Sequence, residues 1–184
     1  MDTQRTPDPI DFWLPVVVLF GFLIVFYVFC QIKQDNSYID SVWGLTFLLP
    51  ILALIFLKLG RGQPVHARVI LNVVLIGVWA LRLGLHIGLR HKGEDFRYVE
   101  MRSNWMKHGI VAYYILAFTN VFMLQGVFSL VVNSASLYST IYTGSNSLFW
   151  PDYLGLAIWV VGFTVEVVGD EQLKWHIKDQ TPGK

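Results

Sequence analysis

Five long apolar runs limit what this chain can become. Phe12 to Ile32 holds about twenty residues without a charged side chain, the length that a hydrocarbon core of about 30 Å demands, and comparable runs follow at 38–59, 67–90, 109–132 and 153–169. A backbone inside lipid must satisfy its own N–H and C=O groups, so runs of this length read as helices. The expected fold is an all-α integral membrane protein with five spans, forming one transmembrane helical domain over residues 1–184. Composition agrees: 54% of the residues are hydrophobic and 15% charged, too little charge to clothe a soluble domain. A net charge of +1 gives no argument for nucleic acid as a partner. The single cysteine, Cys30, allows no intramolecular disulfide. The first eleven residues carry three aspartates and Arg5 rather than a basic leader, so the first run is expected to stay in the bilayer.

The connections set the rest of the layout. Lys33 to Asn36 and Gly60 to His66 read as polar turns, residues 133–152 as an extramembrane loop rich in Ser, Thr, Asn and Gly, and residues 170–184 as a charged tail. Residues 91–108 are too charged to cross a membrane. Tyr98, Met101 and Trp105 recur there at helical spacing among charges, which predicts an interfacial amphipathic helix with its aromatics dipping into lipid. Asn120 and Gln125, inside the fourth run, are expected to hydrogen-bond between helices. Lys33, Arg90, Lys92, Arg97, Arg102, Lys107, Lys174, Lys178 and Lys184 fall on one side of this layout, against Arg5, Lys58, Arg61 and Arg68 on the other. The positive-inside rule then puts the amino terminus outside and the carboxy terminus on the cytosolic or matrix side. Endoplasmic reticulum, bacterial inner membrane and mitochondrial inner membrane are not distinguished.

The segment Val78–Tyr98 concentrates the unusual residues. Arg82, His86 and Arg90 recur every four positions, with Trp79 three before the first, so one helix edge carries an indole and three cationic or basic groups. An arginine in an apolar span costs about 2.5–3.5 kcal/mol on insertion scales and marks a function or a buried partner. Under the five-span layout Asp40, Arg82, His86, Arg90, Glu166 and Asp170 all fall in one leaflet, which predicts a polar cavity with aromatic walls deeper in. Structural alternatives stand beside this. Arg90 and His86 could snorkel to headgroups, Asp170 could only end a helix, Arg82 and Glu166 could form a structural pair, and Asp40 could be a cap. The histidines outside the spans show no ligand spacing, so no metal site is expected, and no phosphate loop or dinucleotide fingerprint is present.

The stretch SYIDSVWG over residues 37–44 resembles a motif of the DUF1295 membrane proteins, relatives of the steroid 5-alpha-reductases. WALRLGLH over 79–86 followed by RHKGEDFR over 90–97, FMLQG over 122–126 and GFTVEVVGDEQLK over 162–174 are similar to that family too. The resemblance covers residues 37–184. It implies NADPH-dependent reduction of a carbon–carbon double bond conjugated to a carbonyl, in a steroid or other lipid substrate. It also implies roles. Asp40 is the position most like the acid that polarises the carbonyl. Trp79 stands where the family's tyrosine would, with an indole that donates a hydrogen bond but gives up no proton. Arg82 meets the reacting oxygen or the cofactor phosphates. His86, Arg90, Glu166 and Asp170 contact the cofactor. The family continues with a GLWxYxRHPNY signature that is not reached by Lys184. The resemblance therefore leaves a second expectation, a non-catalytic accessory subunit of a larger membrane complex that keeps the reductase-like fold.

Overall fold

The structure is a computed structural model that describes residues 6–142 and 147–179; the expectations for Arg5, for residues 143–146 and for the last five residues lie outside the described residues. Two compact units are present, Met1–Asn146 and Ser147–Lys184. Among the described residues the secondary structure is entirely helical, and five helices are long and apolar enough to cross a membrane: Pro9–Lys33, Tyr38–Gly60, Ala67–Gly88, Ile110–Tyr142 and Trp150–His176.

In the first unit, α1 (Pro9–Lys33) starts where the Asp8 N–H donates to the Asp11 carboxylate at 2.8 Å. It ends at Gln34, whose φ of 56° is left-handed. A side chain there costs roughly 1–2 kcal/mol, and Arg102 offsets it by donating to both the Gln34 carbonyl and its side-chain oxygen. The second span is built from α2 (Tyr38–Val42) and α3 (Leu45–Gly60), joined through Trp43 and Gly44, which keep helical angles. After a turn, α4 (Ala67–Gly88) returns to the starting side. Arg61 in that turn pairs with Asp11 at 2.6 Å and Asp8 at 3.2 Å, tying the start of α1 to the end of α3.

Packing in lipid depends on close backbone approach, because the tails are as apolar as the side chains they would replace. Glycines supply it here. A Cβ on Gly44 would lie 2.6 Å from the Ala80 Cα, and one on Gly84 would lie 2.8 Å from the Ser41 carbonyl oxygen. These two contacts press α2 and the start of α3 onto α4. The core gathers Leu19, Leu23, Cys30, Ile39, Val121 and Phe122, with Tyr27 edge-on to Phe118 and Phe122 at 5.1 Å.

Several boundaries depart from the sequence reading. The fourth span consists of α6 (Ile110–Ala117), a π-helical turn at Phe118–Met123 and α7 (Leu124–Tyr142), so the expected loop at 133–152 is helical through Tyr142. Its polar residues are used inside. The Ser129 and Thr46 hydroxyls are 2.7 Å apart, Asn133 donates to the Phe47 carbonyl at 2.9 Å, and Thr140 bonds back to Ser136 at 2.8 Å. Asn120, expected to reach another helix, instead donates to Leu116 in its own, at 3.0 Å, beside the carbonyls the π-turn frees. The third helix stops at Gly88, leaving Arg90 in the following turn.

In the second unit, α8 (Trp150–Asp179) runs for 30 residues, roughly 45 Å at helical rise. The expected tail is therefore helical from residue 170 to Asp179, helped by a Lys174–Glu171 contact at 3.3 Å. At its start the Phe149 N–H donates to the Asp152 carboxylate at 3.0 Å.

The glycine contacts are testable. Gly44→Ala forces the Ala80 backbone away and is expected to destabilise by about 1–3 kcal/mol, read as a lower unfolding midpoint in detergent. Gly77→Ala, with nothing within 4 Å of its added Cβ, should leave the midpoint unchanged or higher. Equal behaviour of the two variants would contradict the packing described here.

Candidate functional site at the Asp40 end of the first unit

The site begins with a short charged connection that cannot stay in lipid. Residues 89–95 leave α4, and Asp95 caps α5 (Phe96–Met106) by accepting the Arg97 N–H at 3.0 Å. A helix is therefore present where an interfacial one is expected, but its faces are assigned differently. Tyr98 is 7% exposed and Trp105 packs on the core, so these aromatics cover protein rather than lipid. The apolar residues left outward are Phe96, Val99 and Met106 with Met101, which is exposed as expected. Helical angles put these residues beside, not upon, the Tyr98–Trp105 edge.

This placement brings a phenol to Asp40. The Tyr98 hydroxyl donates to one carboxylate oxygen at 2.8 Å, and the Arg97 guanidinium donates to the other at 3.1 Å. Arg97 also holds Asp95, at 2.9 Å. Arg97 is 56% exposed in this pairing, so its ion pairs orient groups more than they stabilise the fold. The arginine pulls the Asp95 carboxyl below its ordinary range, chiefly by hydrogen bonding. Burial pushes the Tyr98 hydroxyl far above its ordinary value and the Asp40 charge and hydrogen bond add to this, against smaller opposing effects from Arg97 and a hydrogen bond with Gln125. Tyr98 is thus a fixed hydrogen-bond donor at neutral pH.

Around this pair the 35–37 turn is locked to the same connection. Asp35 accepts from Ser37 at 2.6 Å and contacts His91 at 2.9 Å. The Asn36 N–H donates to Glu94 at 3.0 Å, and Glu94 accepts from Arg102 at 2.8 Å. Gln31, Asn36 and Tyr113 close a ring of hydrogen bonds of 2.7–3.1 Å. Buried polar groups must be paired to be tolerated, and this layer pairs nearly all of its own.

The structure places the sequence-derived candidates as follows. Arg82 lies on α4 between Ala80 and Gly84, the residues that meet Gly44 and Ser41, and is half-buried. His86 and Arg90 touch each other at 3.0 Å toward the helix end. Trp79 is edge-on to Phe47 at 5.4 Å and to Trp43 at 6.1 Å, and forms an aromatic wall with them. The phenol against Asp40 is Tyr98. Glu166 and Asp170 belong to the second unit, one turn apart on α8 and on the stripe of Trp159 and Phe163, whose rings stack at 4.7 Å. Sequence reasoning passed over Tyr98 and Arg97 as partners of Asp40, whereas the Gln125 contact with Tyr98 on another helix is the kind expected of it. The available signal was Asp40 itself, a carboxylate in a span that required donors.

A helical membrane protein with a carboxylate–phenol pair at one end of its bundle is the class that fold and site define. Residues 26–183 match the family model described as protein of unknown function (DUF1295), and the chain belongs to that family. No curated protein and no solved structure matches the chain.

The Tyr98 environment has a consequence at alkaline pH. The folded chain keeps the phenol proton above pH 10, where an unfolded tyrosine has released it. This contribution to stability is complete below that pH and is lost as pH rises beyond it. Tyr98→Phe should therefore flatten the decline of stability above pH 10, measured by denaturation in detergent. Identical slopes for the two proteins would contradict the buried, Asp40-bound phenol.

Proposed function

We propose that this protein is a membrane-embedded reductase acting on a carbon–carbon double bond conjugated to a carbonyl in a steroid or other lipid, with NADPH as reductant. The observation that carries the proposal is the 2.8 Å hydrogen bond between Tyr98 and Asp40, set above the aromatic wall of Trp43, Phe47 and Trp79. A flat apolar substrate suits such a wall, and a carbonyl at its polar end meets the phenol. The cationic edge of Arg82 and His86 on α4, with Arg90 just beyond the helix end, suits the phosphates of a dinucleotide. When bound, NADPH supplies a hydride.

The chain's own groups then have separate tasks. As the carbon β to the carbonyl is reduced, negative charge develops on the carbonyl oxygen. The Tyr98 hydroxyl, turned from Asp40 onto that oxygen, stabilises the developing enolate by a donor already in place, the usual source of large rate effects. Before substrate enters, Asp40 keeps the phenol oriented; once the hydroxyl has turned, the Arg97 guanidinium still donates to the Asp40 carboxylate. Because Tyr98 holds its proton tightly, it acts as a hydrogen-bond donor. The proton that completes the saturated ketone at the α-carbon comes from water.

The test is turnover by the purified full-length chain in detergent, with NADPH and a 3-oxo-4-ene steroid, followed by loss of NADPH absorbance and by mass spectrometry of a product two hydrogens heavier. Tyr98→Phe and Asp40→Asn should each lower kcat/KM by roughly 10²–10³. Absence of both NADPH binding and turnover would sink the proposal.

A further inference from the structure

One polar side chain at the Tyr98–Asp40 pair has a function left over. Gln125 opens α7 directly after the π-helical turn Phe118–Met123. A π-turn adds a residue to the helical register and recurs at functional sites. Downstream of it, Gln125, Ser129 and Asn133 recur every four residues and face the second span, where Ser129 meets Thr46 and Asn133 meets Phe47. Gly126 fixes that register from an adjacent side, since a Cβ there would lie 2.7 Å from Leu23 and 2.8 Å from Phe20 on α1. Gln125 is thereby held against Tyr98, to whose hydroxyl oxygen its amide hydrogen-bonds.

With the nitrogen side of the amide used on Tyr98, the oxygen is left. The Gln125 Oε1 is buried and has no hydrogen-bond partner, and the same holds for the Trp43 Nε1, one helical turn beyond Asp40 on the facing segment. An unmet buried acceptor costs about 1–3 kcal/mol, so a tightly packed side chain left in that state has the form of a group awaiting a ligand donor. The Asn133 Oδ1 is unmet as well, but it lies two turns deeper and its amide nitrogen is spent on the Phe47 carbonyl.

We propose that Gln125 is a specificity-determining residue that reads a hydroxyl on the substrate carbon adjacent to the carbonyl. The inference rests on the reductase reading above, which places the carbonyl oxygen at Tyr98. The nitrogen and oxygen of one amide share a carbon, so a group donating to the Gln125 Oε1 must lie next to whatever Tyr98 holds. A hydroxyl fits because it donates to Gln125 and has lone pairs left to accept from the Trp43 indole N–H. The preferred substrate class is therefore an α-hydroxy enone rather than a plain enone.

The experiment measures binding through quenching of tryptophan fluorescence, using the purified full chain in detergent. The probes are a 3-oxo-4-ene steroid and the same steroid with a hydroxyl beside the carbonyl. The wild-type protein should bind the hydroxylated probe about tenfold more tightly. Gln125→Leu should bring the ratio of the two affinities close to one, while Gln125→Glu, which keeps an acceptor, should preserve the preference. Gln125→Met, of similar length and without a carbonyl, replaces the leucine variant if that variant does not fold. Equal binding of the two probes by wild type would overturn the inference and leave the reductase reading standing. A preference that survives Gln125→Leu would overturn it too, because the hydroxyl would then be read elsewhere. Binding of neither probe would overturn both.

Discussion

Asp40 is a carboxylate inside a membrane-spanning segment, and a charge so placed must meet donors or carry a cost of several kcal/mol. Much of the first unit at that end can be understood as the answer to this requirement. Tyr98 and Arg97 supply the donors, at 2.8 and 3.1 Å. To bring them there, the charged connection after α4 turns back over the 35–37 turn instead of extending into water. That return is held by the Asn36–Glu94, Asp35–His91 and Arg102–Gln34 contacts, each of which satisfies a group that would otherwise be stranded. The left-handed backbone at Gln34 belongs to the same solution, because the tight turn that places Asn36 and Ser37 needs it and Arg102 offsets its strain.

Packing and chemistry are coupled beneath this layer. Gly44 and Gly84 let α4 approach the Asp40 turn closely, and the same approach carries Arg82 to that level and sets Trp79 edge-on to Trp43 and Phe47. A bulkier residue at Gly44 would separate helices and move the aromatic wall together. On the other flank, the π-turn and Gly126 set the face of α7, so that its polar residues meet α3 and α5 instead of lipid. Hydrogen bonds between helices are the specific element in such packing, since apolar surface alone does not drive association in a bilayer.

The five spans and the importance of Asp40 were legible because length and hydropathy report directly on the bilayer, and a lone carboxylate in such a run is conspicuous. The course of α7 beyond residue 132 was not legible. Serines, threonines and an asparagine look like a loop when their partners are assumed to be water, whereas Ser129, Asn133 and Thr140 are bonded inside the helical unit. Tyr98 was hidden for a related reason. The periodicity of α5 reveals apolar edges, Tyr98–Trp105 and Phe96–Val99–Met106, but cannot say which one the protein takes and which is left outward. Only the demand from Asp40, a residue 58 positions away, breaks that tie. Trp79 is conspicuous by its place in a motif, and its neighbours Trp43 and Phe47 make it part of an aromatic wall.

The central claim is that Asp40 and Tyr98 act as one coupled unit. A double-mutant cycle tests it most directly, with unfolding free energies measured in detergent for wild type, Asp40→Asn, Tyr98→Phe and the double variant. The structure predicts a coupling energy of about 1 kcal/mol or more, within the range found for groups in direct contact, with the double variant less destabilised than the two single effects added together. Strictly additive effects would mean that the two residues do not meet in the folded protein, and would contradict the account.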